Sequence, residues 1–188
     1  MAQDRSPLCP ADAMSALLAA AGADPVRGLK RLDDLLEQYP DDARLHFFQG
    51  SLLAGQSDFG AARSAMRRAV DLAPDFAVAR FQLGFLLLTS GEPHAAQEAW
   101  GPLHGLPPGN FIRIFVDGLC HLIRDEFREA IRCLEDGISK NTENLPMNRD
   151  MQLIVDEIRS RRLDDGAASG QSAVDFLLQQ SAFKSTRH

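Results

Sequence analysis

The sequence predicts an all-α protein, a solenoid of helical hairpins joined end to end, and three observations predict it. Prolines recur at Pro40, Pro74 and Pro108, 34 residues apart, a fixed period of the kind that stacked helical units leave. Small residues recur in phase with them: Ala16, Gly50, Gly84 and Gly118 in one column, and Gly28, Ala62, Ala96 and Ala130 in a second. A third column is large and apolar: Leu32, Met66, Trp100 and Leu134.

The period divides residues 9–144 into four frames, 9–42, 43–76, 77–110 and 111–144. Within a frame the small columns fall at positions 8 and 20, where the two helices of a hairpin come close. Position 24, and position 27 behind it (Leu35, Ala69, Leu103, Gly137), supply the packing face of the second helix. The turns between helices are acidic, small or proline-bearing: ADP at 23–25, SDF at 57–59, GEP at 91–93 and DEF at 125–127. Pro25 and Pro93 suit the first turn of a helix, where a missing N–H is no loss. The proline at position 32 stops the second helix. At Thr142 that proline is absent, but KNTEN still reads as a turn.

The expected helices are 11–21 and 25–38, 43–55 and 59–72, 77–90 and 93–105, 111–124 and 127–140. The first frame matches least well, because Ala16 stands where the others have glycine. A stacked array must hide its last apolar face. Residues 145–163, with Met151, Ile154, Val155 and Ile158 at helical spacing, are the expected capping helix. Residues 164–172 (DDGAASGQS) read as a linker, and 173–188 as an amphipathic or disordered tail holding Val174, Phe176, Leu177 and Leu178.

Composition narrows the function. The net charge of −6 argues against a general nucleic-acid binder, which needs positive charge to meet phosphates. No apolar run reaches the roughly 20 residues that span a bilayer, so no membrane insertion is expected. The run Ala13–Ala23 has Asp4 and Asp12 upstream beside a single Arg5, unlike the basic start of a secretion signal. It reads as a helix of the domain, with a cleaved signal as the rival reading. Cys9, Cys120 and Cys133 are odd in number and widely spaced, so neither a disulfide framework nor a zinc site is signalled. A reducing, cytoplasmic location follows as the expectation.

The sequence carries no phosphate-binding loop, nucleophile elbow or HExxH. No catalytic residue, metal ligand or cofactor is expected. Arg113, Asp117 and His121, spaced i, i+4 and i+8, read as an ion-pair ladder along an apolar helix. A metal on Asp117 and His121 would need a further ligand that no motif supplies.

Four frames in phase resemble the tetratricopeptide repeat (TPR) family over roughly the first three-quarters of the chain. The resemblance implies antiparallel helix pairs in a right-handed superhelix, a concave inner face, and binding of a protein or peptide rather than catalysis. In this family positions 2, 5, 9, 12 and 13 line the inner face. Residue by residue they fall on Arg44, Phe47 and Ser51 in the second frame. In the third they fall on Val78, Phe81, Phe85 and Leu88, and in the fourth on Ile112, Phe115, Leu119 and Leu122. Repeats that clamp the C-terminal carboxylate of chaperones have Lys and Asn at positions 5 and 9. Here those places hold Phe, Ser and Leu, so the expected groove is apolar and takes a helix or an apolar peptide.

Two readings of the phenylalanines stand side by side: an accessible ladder of Phe47, Phe81 and Phe115, or core packing. The tail adds a third, in which 172–183 folds back over the groove or exchanges between copies. The implied function is an adaptor or scaffold. The alternatives are a small secretion-type chaperone for an apolar client segment and an accessory subunit of an enzyme complex.

Overall fold

The structure, a computed structural model, describes residues 7–164. Those residues form helices and connecting turns, with no strand among them. The chain divides into two compact units, the first ending at Leu83 and the second starting at Gly84.

The first unit holds α1 (Ala11–Ala23), α2 (Pro25–Gln38), α3 (Ala43–Gly55), α4 (Phe59–Leu72) and the start of α5 (Ala77–Thr89). Its helices begin where the sequence supplies a cap. Asp24 accepts hydrogen bonds from the backbone N–H groups of Val26 and Arg27, Asp42 from that of Arg44, and Asp58 from that of Ala61. Each satisfies N–H groups that have no partner inside the helix.

The second unit holds the rest of α5, then α6 (Pro93–Trp100), α7 (Phe111–Ile123), α8 (Phe127–Lys140) and α9 (Leu145–Asp164). The expected helix 93–105 is α-helical only to Trp100; Gly101–Gly105 form a 3₁₀ turn. Pro102 is the cause, because its ring clashes with the carbonyl four residues back and it brings no N–H.

Three hairpins share one lock. A Cβ on Gly50 would come within 2.5 Å of the Met66 side chain, one on Gly84 would overlap the Trp100 indole, and one on Gly118 would lie 2.9 Å from Leu134. In every case position 8 is bare so that position 24 can lie across it. Trp100 and Leu134 are fully buried there and Met66 nearly so. The turns repeat as well. Ser57, Gly91 and Asp125, all at position 15, have positive φ of 64°, 82° and 59°. Each turn carries the same two backbone bonds: Ser57 N–H to Ala54 O with Asp58 N–H to Leu53 O, and likewise Gly91 to Leu88 with Glu92 to Leu87, and Asp125 to Leu122 with Glu126 to His121. This is a Schellman closure, which needs a left-handed residue.

The first hairpin departs from this plan. Ala16 is exposed, and Leu17 beside it is fully buried with Leu32, Leu35 and Leu45. The close approach falls instead between Gly28 and Ala21, where a Cβ would sit 2.6 Å from the Ala21 Cα. Without a glycine at position 8, α1 presents a different stripe to α2.

The boundary where proline is missing is held by asparagines. Asn141 is buried; its Nδ2 donates to Asn144 O and Asn148 Oδ1, and its Oδ1 accepts from the N–H groups of Glu143 and Asn144. α9 then packs on α8 with Met147, Met151, Ile154, Val155 and Ile158 buried. The expected linker and tail, residues 165–188, lie outside the described residues; Asp164 closes α9.

Candidate protein-binding surface

Burial separates the eleven expected contact positions. Phe81, Leu88, Ile112, Phe115, Leu119 and Leu122 are buried. Arg44 and Ser51 are exposed, and Phe47, Val78 and Phe85 are half-buried. The accessible ladder is therefore corrected at two of its three rungs, because Phe81 and Phe115 are core. For Phe115 the reason is visible: its ring lies against the bare Cα of Gly137 in its own hairpin, and Phe111 meets it edge-on with centroids 6.0 Å apart.

Arg44 is accessible but engaged. Its guanidinium donates to both carboxylate oxygens of Asp42, and its terminal nitrogen also donates to the Cys9 carbonyl at 2.7 Å. Asp42 in turn accepts from the Cys9 N–H at 2.8 Å. The pair straps the chain just before α1 to the start of α3. Burial alone would push the Asp42 carboxyl up; the hydrogen bonds from Arg44 and Cys9 outweigh it and hold the carboxyl below its ordinary range.

Among the expected contact positions of the first unit, Phe47 is the aromatic one that stays half-buried. Its ring stands 5.2 Å from that of Phe76 at 59°, and both are half-buried. Val78 and Ser51 occupy the neighbouring expected positions, half-buried and exposed respectively. Phe76 is a residue the register missed. It fills position 34, where Asp42 and Asn110 cap the following helix and Asn144 accepts from the Met147 N–H. An aromatic in a capping column was the signal.

The polar residues of α7 do not form the expected ladder. Arg113 donates to Leu106 O at 2.8 Å, Asp117 pairs with His104 at 3.4 Å, and His121 pairs with Glu126 at 2.6 Å. Each finds a partner off the helix, because the 3₁₀ turn brings Leu106 and His104 alongside and the next turn supplies Glu126. Arg124 and His121 hold the Glu126 carboxyl down to about 2. His46 and Arg80, both at position 4, bind the carbonyls of Pro40 and Pro74, which close the preceding frames.

Burial pushes the thiols of Cys9, Cys120 and Cys133 up, which favours their protonated form. Among the described residues, no group of three or more His, Cys, Asp or Glu is placed to hold a metal, and no helix is long and apolar enough to cross a membrane.

Helical hairpins with a period of 34 residues, closed by glycine against a large side chain, define a helical-repeat protein. Within it, the tetratricopeptide repeat family model matches residues 13–77. Solved structures share the fold, two of them as follows. One is MamA, residue 41 to the end, from Desulfovibrio magneticus RS-1, at 13% identity, covering 94% of this chain and 96% of that one with a TM-score of 0.57. The other is the MamA RS-1 ArsTM double mutant, at 14% identity, with coverage of 94% and 96% and a TM-score of 0.56. At such identity the likeness speaks for the fold alone. No curated protein matches the chain in sequence. The fold is one that serves in general as a protein–protein interaction scaffold.

Proposed function

We propose that this chain is a non-enzymatic adaptor that holds an apolar segment of another protein, with Phe47 as the principal contact. The observation that carries this reading is the Phe47–Phe76 pair: two aromatic rings 5.2 Å apart, neither fully covered, beside the exposed Ser51. Aromatic side chains that keep accessible area on a rigid element are favoured contact points for a partner. The surrounding positions lack the Lys and Asn of a carboxylate clamp, so the favoured ligand is apolar. The frames 9–42, 43–76, 77–110 and 111–144 are taken as the repeat units and 145–163 as their cap. Three free cysteines favour a reducing compartment such as the cytoplasm.

Capture of proteins from an extract of the source cells by wild type and by Phe47→Glu tests it. The exchange puts a charge on a half-buried surface and leaves the fully buried side chains in place. The expected result is loss of the captured partner, at least tenfold, with an unchanged circular dichroism spectrum. Recovery of the same proteins in the same amounts by both would overturn the assignment of Phe47.

A further inference from the structure

We propose that α1 is a latched flap: it opens as a unit while the hairpin of α3 and α4 stays folded, and the strap of Cys9, Asp42 and Arg44 is its latch. α1 has little packing of its own. Leu17 is its one buried side chain, whereas α4 buries Ala62, Ala65, Met66, Ala69 and Val70. Position 8, where glycine locks the later hairpins, is the exposed Ala16. Pro10 gives α1 no side-chain cap, while Asp42 and Asp58 cap α3 and α4. A helix of 13 residues is marginal in water by itself, so what holds α1 must come from outside it.

The strap supplies that hold at its N-terminal end. The Cys9 N–H donates to Asp42 at 2.8 Å, and the Cys9 carbonyl accepts from Arg44 at 2.7 Å. Both backbone groups of one residue are thus taken by a charged pair, and charge-assisted bonds are the strong ones. Cys9 and Asp42 are buried, so water does not compete for these bonds while the flap is shut. The far end of the strap lies at the start of α3, which Gly50 and Met66 lock to α4. The strap therefore joins a loosely packed helix to a firmly packed one. Opening uncovers Leu32, Leu35 and Leu45, which cluster with Leu17 when α1 is in place; their burial is what closes the flap again. An element with few buried contacts, tied by a small number of bonds, is the kind that opens below the free energy of global unfolding.

Native-state amide hydrogen exchange of the full chain, followed by mass spectrometry across low urea concentrations, tests the flap and its latch. In wild type the amides of α1 should exchange at least about tenfold faster than those of α3 and α4. Their rate should also depend less steeply on urea, because a small opening exposes little surface. Asp42→Asn keeps a capping side chain on α3 and weakens the latch. It should speed exchange in α1 about tenfold further, with the shallow urea dependence retained. Arg44→Met removes the bond to the Cys9 carbonyl, leaves Asp42 as the cap, and should act in the same direction. Exchange of α1 at the rate and urea slope of α3 and α4 overturns the flap, because the first unit then opens as one. Fast, shallow exchange in α1 that neither substitution changes overturns the latch.

Discussion

Asp42 does three things with one carboxylate: it caps α3, accepts from the Cys9 N–H and pairs with Arg44. Replacing it with Asn keeps the shape and removes the charge that Arg44 and the two N–H groups stabilise. Hydrogen bonds to a charged group contribute about 1.5–3 kcal/mol, so Asp42→Asn should cost about that much at neutral pH. The pH dependence follows from the lowered folded-state pKa. A depressed carboxyl stabilises the fold fully above its unfolded value, and the gain fades as pH falls through the folded value. Urea midpoints of wild type and Asp42→Asn should therefore differ at pH 7 and converge as pH drops below the ordinary aspartate range. A constant gap across that range would contradict this account of the strap. Nothing in the sequence announced the strap, because its members lie 33 and 35 residues apart and Arg44 is read by register as a contact residue.

At the scale of the element, helix limits were legible because caps, prolines and the 34-residue period all mark the same boundaries. The exception is α6. Gly101 and Pro102 stood in plain view, but the frame carried the helix past them. The expected contact positions were legible only in part. Register names them, but an apolar side chain at such a position serves equally well as core, and Phe81, Phe115 and Leu119 do so. Their burial is also why Phe47 rather than Phe81 is the position to charge in a binding test. The hairpin turns offer a cleaner prediction. Ser57 holds a left-handed conformation that Gly91 holds in the next hairpin. A non-glycine residue there costs roughly 1–2 kcal/mol, offset by the greater chain freedom that glycine loses on folding. Ser57→Gly should raise stability by about 0.5–1 kcal/mol, seen as a higher urea midpoint with unchanged slope. A lower midpoint would mean that the serine makes an interaction worth more than the strain.

Across the whole molecule, the columns at positions 8 and 24 connect sequence, fold and use. One bare Cα per hairpin lets a large side chain from the second helix close the pair, and this occurs in both compact units, at Gly50–Met66, Gly84–Trp100 and Gly118–Leu134. The first hairpin, with alanine in that column, packs α1 on α2 through a different stripe. The far end closes differently: α9 follows the last frame and buries one apolar face against α8. Rigid hairpins of this kind leave function to whichever side chains are not needed for packing, which is why the fold was far more legible than the partner.

A double-mutant cycle on Gly84 and Trp100 tests this repeat lock most directly. Gly84→Ala alone should destabilise the protein by about 1–3 kcal/mol, because the added methyl meets the buried indole. In a Trp100→Leu background the same methyl should cost less than about 0.5 kcal/mol, since the volume it needs has been vacated. If the two losses simply add, the glycine does not face the tryptophan, and the register on which the hairpins were assigned is wrong.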